Sequence, residues 1–233
     1  MTKIVNVPKG KSFRSRLIDM RACGWEDDTE SVGWVGRKSL RTAWRLCDRG
    51  DWMLWLVRRV DIDQRLLVLV ACDFARLALP NARGPEALHA IETTEAWTRG
   101  EATINQVRTA ARVAFAAADS AFYAARVGAE NGLELLNGLV ASGQLLQPAR
   151  ASARASARAS ARAFAAGCAA GYAAAAASAA SADSASASAS AAYVSDYVAN
   201  HSDDYFDTLR KCAELVRNRI SVSTIEAAMR GER

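Results

Sequence analysis

From Ala149 the chain reads ARASARASARASARAFAAGCAAGYAAAAASAASADSASASASAA, a run of alanine and serine whose first part carries an arginine at every fourth position. Alanine has the highest intrinsic helix propensity, and serine is tolerated on a small-residue or solvated face. Ser184–Ser190 alternates alanine with serine, but it lacks the branched and aromatic residues that favour strands. The run therefore predicts a long, thin helix. Arg150, Arg154, Arg158 and Arg162 are spaced i,i+4 and line one slowly turning stripe along it. Unbroken from Pro148 to Asn200, such a helix would be roughly 75 Å long at 1.5 Å per residue. That is too long for a domain of this size, so a bend or break is expected at Gly167/Gly171 or at Ser181–Ser184.

Helices faced with alanine, serine and glycine approach one another more closely than leucine-faced ones, near the lower end of the usual ~8–10 Å. Many weak dispersion contacts then add up. Val107, Ala111, Ala114, Ala118 and Phe122 form a second stripe dominated by small residues. This makes residues 107–125 and 150–195 natural partners, within one chain or across a dimer. The rest of the sequence also carries helical periodicity. Leu40, Ala43, Trp44 and Cys47 mark one helix, with Gly50 as its stop and Asp51 as the cap of a next one over Trp52–Arg59. Asp61 or Asp63 caps a third, which Pro80 ends, and Asp73 and Arg76 are spaced to pair within it. Pro85 and Gly100 bound a fourth. A fifth runs from Thr103 to Gly128, and Asn131-Gly132 is expected to turn before a short apolar helix. Asp203–Arg219 and Thr224–Arg230 complete the set. Residues 1–36, punctuated by Pro8, Gly10, Gly24, Gly33 and Gly36, are expected to form an irregular basic arm, and 37–233 a single helical domain. The fold class is all-α, a helical bundle with long, closely packed Ala/Ser-rich helices.

Chemistry is sparse in this pattern. Five cysteines at 23, 47, 72, 168 and 212 form no C-x-x-C pair, and His89 and His201 are the only histidines. No zinc spacing results, and scattered thiols on helices read as small buried hydrophobes in a reducing cytosol. Glu86, His89, Glu92 and Glu95 make a ridge on one helix, but a di-metal bundle needs a second Glu-x-x-His helix facing it. The ridge reads as a solvated acidic face, and neither a metal nor a cofactor is expected. Ala163–Ala182 carries no charge and contains Gly167-x-x-x-Gly171, yet alanine and serine drive a segment only weakly into lipid, so no membrane span is expected.

The formal charge of +5 suits acidic partners and is also an ordinary aid to solubility. The arginine stripe is the sharpest candidate site, because guanidinium forks bind phosphates and carboxylates. Facing Phe164, Tyr172 or Tyr193, it could hold an anionic nucleotide or a nucleic-acid backbone. It could equally be a solvated edge, neutralised in part by Asp196, Asp203, Asp204 and Asp207.

Three segments carry a family resemblance: TAWRLCDRGDWMLWL (42–56), ACDFARLALP (71–80) and AIETTEAWTRGEAT (90–103). Their order, followed by alanine-rich helices, resembles the immunity-protein family of the Imm-5-like kind, found in bacteria and phage genomes, over roughly residues 40–127. The resemblance implies a non-catalytic cytoplasmic protein that binds and neutralises a protein toxin or defence protein, and it transfers no catalytic residue. Two other readings stay open. One is a phage-type anti-defence protein that sequesters a nucleotide signal through arginines and aromatics. The other is a helical scaffold that forms a homo-oligomer through its alanine faces.

Overall fold

A computed structural model describes residues 12–19, 30–60, 62–141, 147–180, 194 and 197–231. Every regular element among them is helical, and no strand occurs among the described residues. In chain order the helices are α1 (Phe13–Asp19), α2 (Glu30–Val35), α3 (Leu40–Leu46), α4 (Gly50–Arg59) and α5 (Gln64–Ala78). A 3-10 turn (Leu79–Asn81) leads to α6 (Glu86–Arg99), α7 (Ile104–Ala141) and α8 (Gln147–Ala180). After a helical stretch at 197–200 come α9 (Tyr205–Arg219) and α10 (Val222–Arg230).

Local signals start and stop most of these helices. Ser39, Asp63, Asp204 and Ser221 each accept a backbone N–H of the first turn that follows, satisfying a donor that the helix leaves unpaired. Gly100 ends α6 with φ 80°, the left-handed conformation that glycine adopts without a Cβ penalty. At the start of α7 the Thr103 hydroxyl accepts from the N–H of Gln106, whose side chain reaches back to the N–H of Thr103. The two groups form a reciprocal capping box.

The axis of the bundle is α8. It packs most extensively on α7, then on α5 and α6. Its two halves behave differently. Residues 155–159 are exposed, whereas Ala163, Ala165, Ala166, Cys168, Ala169, Ala170, Ala173, Ala174, Ala176 and Ala177 are buried. A helix that is apolar around its circumference belongs inside a core, and the change comes where the last arginine of the repeat, Arg162, passes. The uncharged window from Ala163 is thus the interior of the bundle. No helix among the described residues is long and apolar enough to cross a membrane.

Gly167 and Gly171 do not break this helix. They permit contact. A Cβ on Gly167 would lie 2.6 Å from the Cβ of Ala118 and 3.3 Å from the carbonyl oxygen of Ala114 on α7. A Cβ on Gly171 would strike the ring of Phe115. The expected partnership of the two small-residue stripes is therefore realised within one chain. The alternative break at Ser181–Ser184 lies outside the described residues.

The structure departs from the sequence reading at four other places. Gly50 opens α4 instead of stopping α3; its missing Cβ lets α4 approach α9, since a Cβ there would lie 2.6 Å from that of Cys212. The helix begun at Thr103 continues through Asn131-Gly132 to Ala141. One glycine costs a helix only about 1 kcal/mol, which flanking alanines and leucines offset. Asp73 and Arg76 do not pair with each other. Asp73 receives Arg219 of α9 through two hydrogen bonds (2.7 and 2.8 Å), and Arg76 is held by Glu95 of α6 through two of 2.9 Å. Finally, the stretch expected to be an irregular arm contains α1 and α2. Phe13, Leu17, Trp34 and Val35 cover the apolar side of α3 and α4 around a cavity of about 50 Å³, with Trp34 edge-on to Trp52 at 6.1 Å. Burying these side chains favours helix in a segment that glycines would otherwise leave open.

The close contact at Gly167 gives a sign-specific expectation. In an open helix Gly→Ala stabilises by roughly 1 kcal/mol. Here the added methyl has no room, so Gly167→Ala is expected to destabilise by about 1–3 kcal/mol. Chemical denaturation measures it, and an unchanged or increased stability would contradict this packing.

Candidate functional site

A cationic concavity lies away from the arginine repeat, where α3, α9 and α10 meet. Arg41 and Arg45 stand one turn apart on α3. Arg217 of α9 reaches the C-terminal end of α3, where its Nη1 donates to the carbonyl of Cys47 at 2.5 Å and lies 3.5 Å from that of Trp44. A cation among the last carbonyls of a helix satisfies unpaired acceptors and the negative end of the helix dipole, so Arg217 is held in place while its other N–H groups stay available. Ser221 and Val222, at the positive end of α10, supply the far wall. The groove encloses about 460 Å³ and is lined by Arg41, Thr42, Trp44, Arg45, Arg217, Ser221 and Val222. That volume is within the ~300–1,000 Å³ of ligand sites.

Its charge is one-sided. Among the described residues no carboxylate lines the groove. Arg41 pairs with Glu226 of α10, but 66% of the Arg41 side chain stays exposed. Arg45 is exposed and has no carboxylate partner among the described residues, and Arg217 donates to the carbonyls of Trp44 and Cys47 and to the Met53 sulfur, all uncharged. Three forked guanidiniums around a tryptophan can grip carboxylates or phosphates in defined orientations. The arrangement is suited to recognition.

The residues singled out from the sequence are distributed otherwise. The side chains of Arg150 and Arg154 lie outside the described ones, as does Tyr193. Arg158 is exposed. Arg162 pairs with Asp203, one member of the expected acidic counter-patch, and borders a small cavity with His201 and Lys211. Tyr172 is half-buried, edge-on to Phe115 at 5.2 Å and 6.2 Å from the ring of Tyr197. The aromatic group brought to Arg162 is thus His201, stacked on Tyr197 with ring centroids 4.5 Å apart. The groove itself was missed because only the i,i+4 pair Arg41/Arg45 is visible in sequence; Arg217 joins it through tertiary packing. The Glu86–Glu95 ridge is open to solvent at His89 and Glu92, its Glu95 is committed to Arg76, and no metal-holding cluster occurs among the described residues.

The four described cysteines are free and buried. Burial pushes the Cys47 thiol up to about 11 and that of Cys212 to about 12. Desolvation also raises Cys72 and Cys168, the latter against a hydrogen bond with Tyr197 that acts the other way. Such thiols stay protonated and inert at neutral pH.

Comparison of the chain with protein families, with curated proteins and with solved structures finds no match in any of the three. The groove is therefore interpreted from its own chemistry.

The thiols also set an alkaline limit. Unfolded, Cys47 ionises from 9.0; folded, it resists until about 11. Its contribution is complete below the lower value and is lost as pH rises between the two. The stability cost of Cys47→Ala is accordingly smaller at about pH 10.5 than at about pH 8. Denaturant titrations at both values test this, and a cost that grows with pH would contradict it.

Proposed function

We propose that this protein acts by binding an acidic partner in the Arg41–Arg45–Arg217 groove, as an immunity protein that blocks a protein toxin or defence protein. The observation that carries the reading is the groove's excess of positive charge beside Trp44, three arginines against the one carboxylate of Glu226. Arginine and tryptophan are among the residue types that dominate binding energy at protein interfaces. The segment that resembles immunity proteins begins at Thr42 and includes Trp44 and Arg45, so the resemblance and the groove coincide on α3. The action is non-catalytic in this reading: the chain covers or holds a working surface of its target. Complementary charge speeds the encounter and sets orientation.

The scaffold alternative draws less support. The alanine face that would have joined two copies is filled by α7 of the same chain through Ala114, Ala118 and Gly167. The nucleotide alternative loses the Tyr172 part of its pocket, since that ring packs on Phe115.

The reading predicts a toxin encoded beside the gene, and the test is its neutralisation. Co-expression is expected to restore growth and to yield a 1:1 complex. Arg41→Glu/Arg45→Glu reverses charge at exposed positions and is expected to weaken that complex by at least tenfold with the helical circular-dichroism signal intact. Rescue that survives the double reversal, or no rescue by the unaltered chain, would overturn the proposal.

A further inference from the structure

A second polar cavity lies on another side of the bundle, where α8 passes from its arginine-bearing half into the core. It measures about 100 Å³, the share of about three waters. Arg162 of α8, Asn81 after α5, His201 and Ser202 before α9, and Thr208 and Lys211 of α9 supply its polar lining. Elements distant in sequence thus bring two cations, an imidazole, an amide and two hydroxyls to one small space.

The two cations retain donors. Arg162 gives a hydrogen bond to Asp203, and Lys211 gives one of 2.8 Å to Asp207. A guanidinium has five N–H groups and an ammonium three, so most remain. Neither carboxylate lines the cavity, and the Asp203 side chain is 78% exposed. Ion pairs of that exposure contribute little and yield to a better-placed anion. His201 is fixed twice, by stacking on Tyr197 and by its Nδ1, which lies 2.8 Å from the Tyr197 carbonyl oxygen. A carbonyl only accepts, so Nδ1 carries a proton; in the neutral ring Nε2 is then an acceptor, matched to the P–O–H of a hydrogen phosphate.

The geometry points to a phosphate-binding site in this cavity, with Arg162 and Lys211 gripping the oxyanion and His201 completing the shell. The Ser202 hydroxyl is spent on the Ala199 carbonyl, but donors of Arg162, Asn81, Thr208 and Lys211, from three chain segments, match a tetrahedral group with oxygens in several directions; a planar carboxylate needs only one fork. The space takes one such group and no nucleoside, and the half-exposed Arg162 leaves a mouth through which the remainder of a phosphomonoester would emerge. The site is independent of the arginine groove and of the partner proposed there.

NMR titration of the full chain tests it, with inorganic phosphate, adenosine monophosphate and acetate as probes at matched ionic strength. Phosphate is expected to give saturable shifts at the Arg162 side-chain Nε–H and at the amides of Ser202 and Thr208, and acetate is not. Tighter binding of inorganic phosphate than of the nucleotide identifies a free-phosphate site; the reverse identifies a site for a terminal phosphate on a larger molecule. Arg162→Gln is expected to lower the affinity about tenfold or more, and Lys211→Gln, at an exposed position, provides the same test should the first variant lose its fold. Arg45→Gln in the separate groove should leave the affinity unchanged. The absence of saturable shifts, equal shifts with acetate, or affinities unaltered in both cavity variants would overturn the assignment.

Discussion

Close approach of α8 to α7 is the constraint on which the rest of the fold depends. Their contact places Gly167 where even a methyl group would overlap Ala118, and Gly171 under the ring of Phe115. Alanine buries little area per residue, so a core built on it needs short interhelical distances and many simultaneous contacts. Bulk is supplied beside it: Phe74 of α5 and Ile91 of α6 are fully buried on the helices that pack against the alanine axis, and Leu54, Leu209 and Ile220 are fully buried elsewhere in the bundle. Tryptophans 34, 44, 52 and 55 close the end formed by α1–α4.

The arginines follow from the same logic. A helix made of alanine and serine has no intrinsic inside or outside, and charge gives it one. Residues 155–159 of the ARAS pattern lie in water; past Arg162, α8 enters the core. Arg162 stands at that boundary and is tied to Asp203 just before α9. Two cross-helix pairs, Arg219 with Asp73 and Arg76 with Glu95, fix α5 against α9 and α6. Their hydrogen bonds raise both guanidinium pKa values, so these clamps keep their charge throughout the physiological range. Arg217 then joins α9 to the end of α3, and that junction creates the cationic groove.

Much of this architecture was legible in the sequence because it is local. The cap at Asp61 or Asp63, the start at Thr103, the stop at Gly100, and the small-residue stripes on α7 and α8 all follow from residue type and spacing. What was not legible depends on partners distant in the chain. Gly50 resembles a helix stop until Cys212 is seen against it, and Gly167 resembles a hinge until Ala118 is. Asp73 and Arg76 have the spacing of a local pair, yet each finds a bidentate partner on another helix. The site shows the same division. The repeated arginines attract attention through their periodicity, whereas the groove needs Arg217, which lies 172 positions after Arg45 and has no periodic signal. Tyr172 is a plausible ligand aromatic in sequence, but Phe115 claims its ring.

Native-state amide hydrogen exchange along α8 tests the division of this helix most directly. Exchange of a buried, packed segment requires opening of the whole core, whereas an exposed one frays locally. Amides of residues 163–177 are expected to be among the slowest in the protein, at the level of global unfolding, and those of 155–159 to exchange far faster. Equal protection across the two halves, or faster exchange in the alanine half, would contradict the account of α8 as a core axis with a solvated arginine extension.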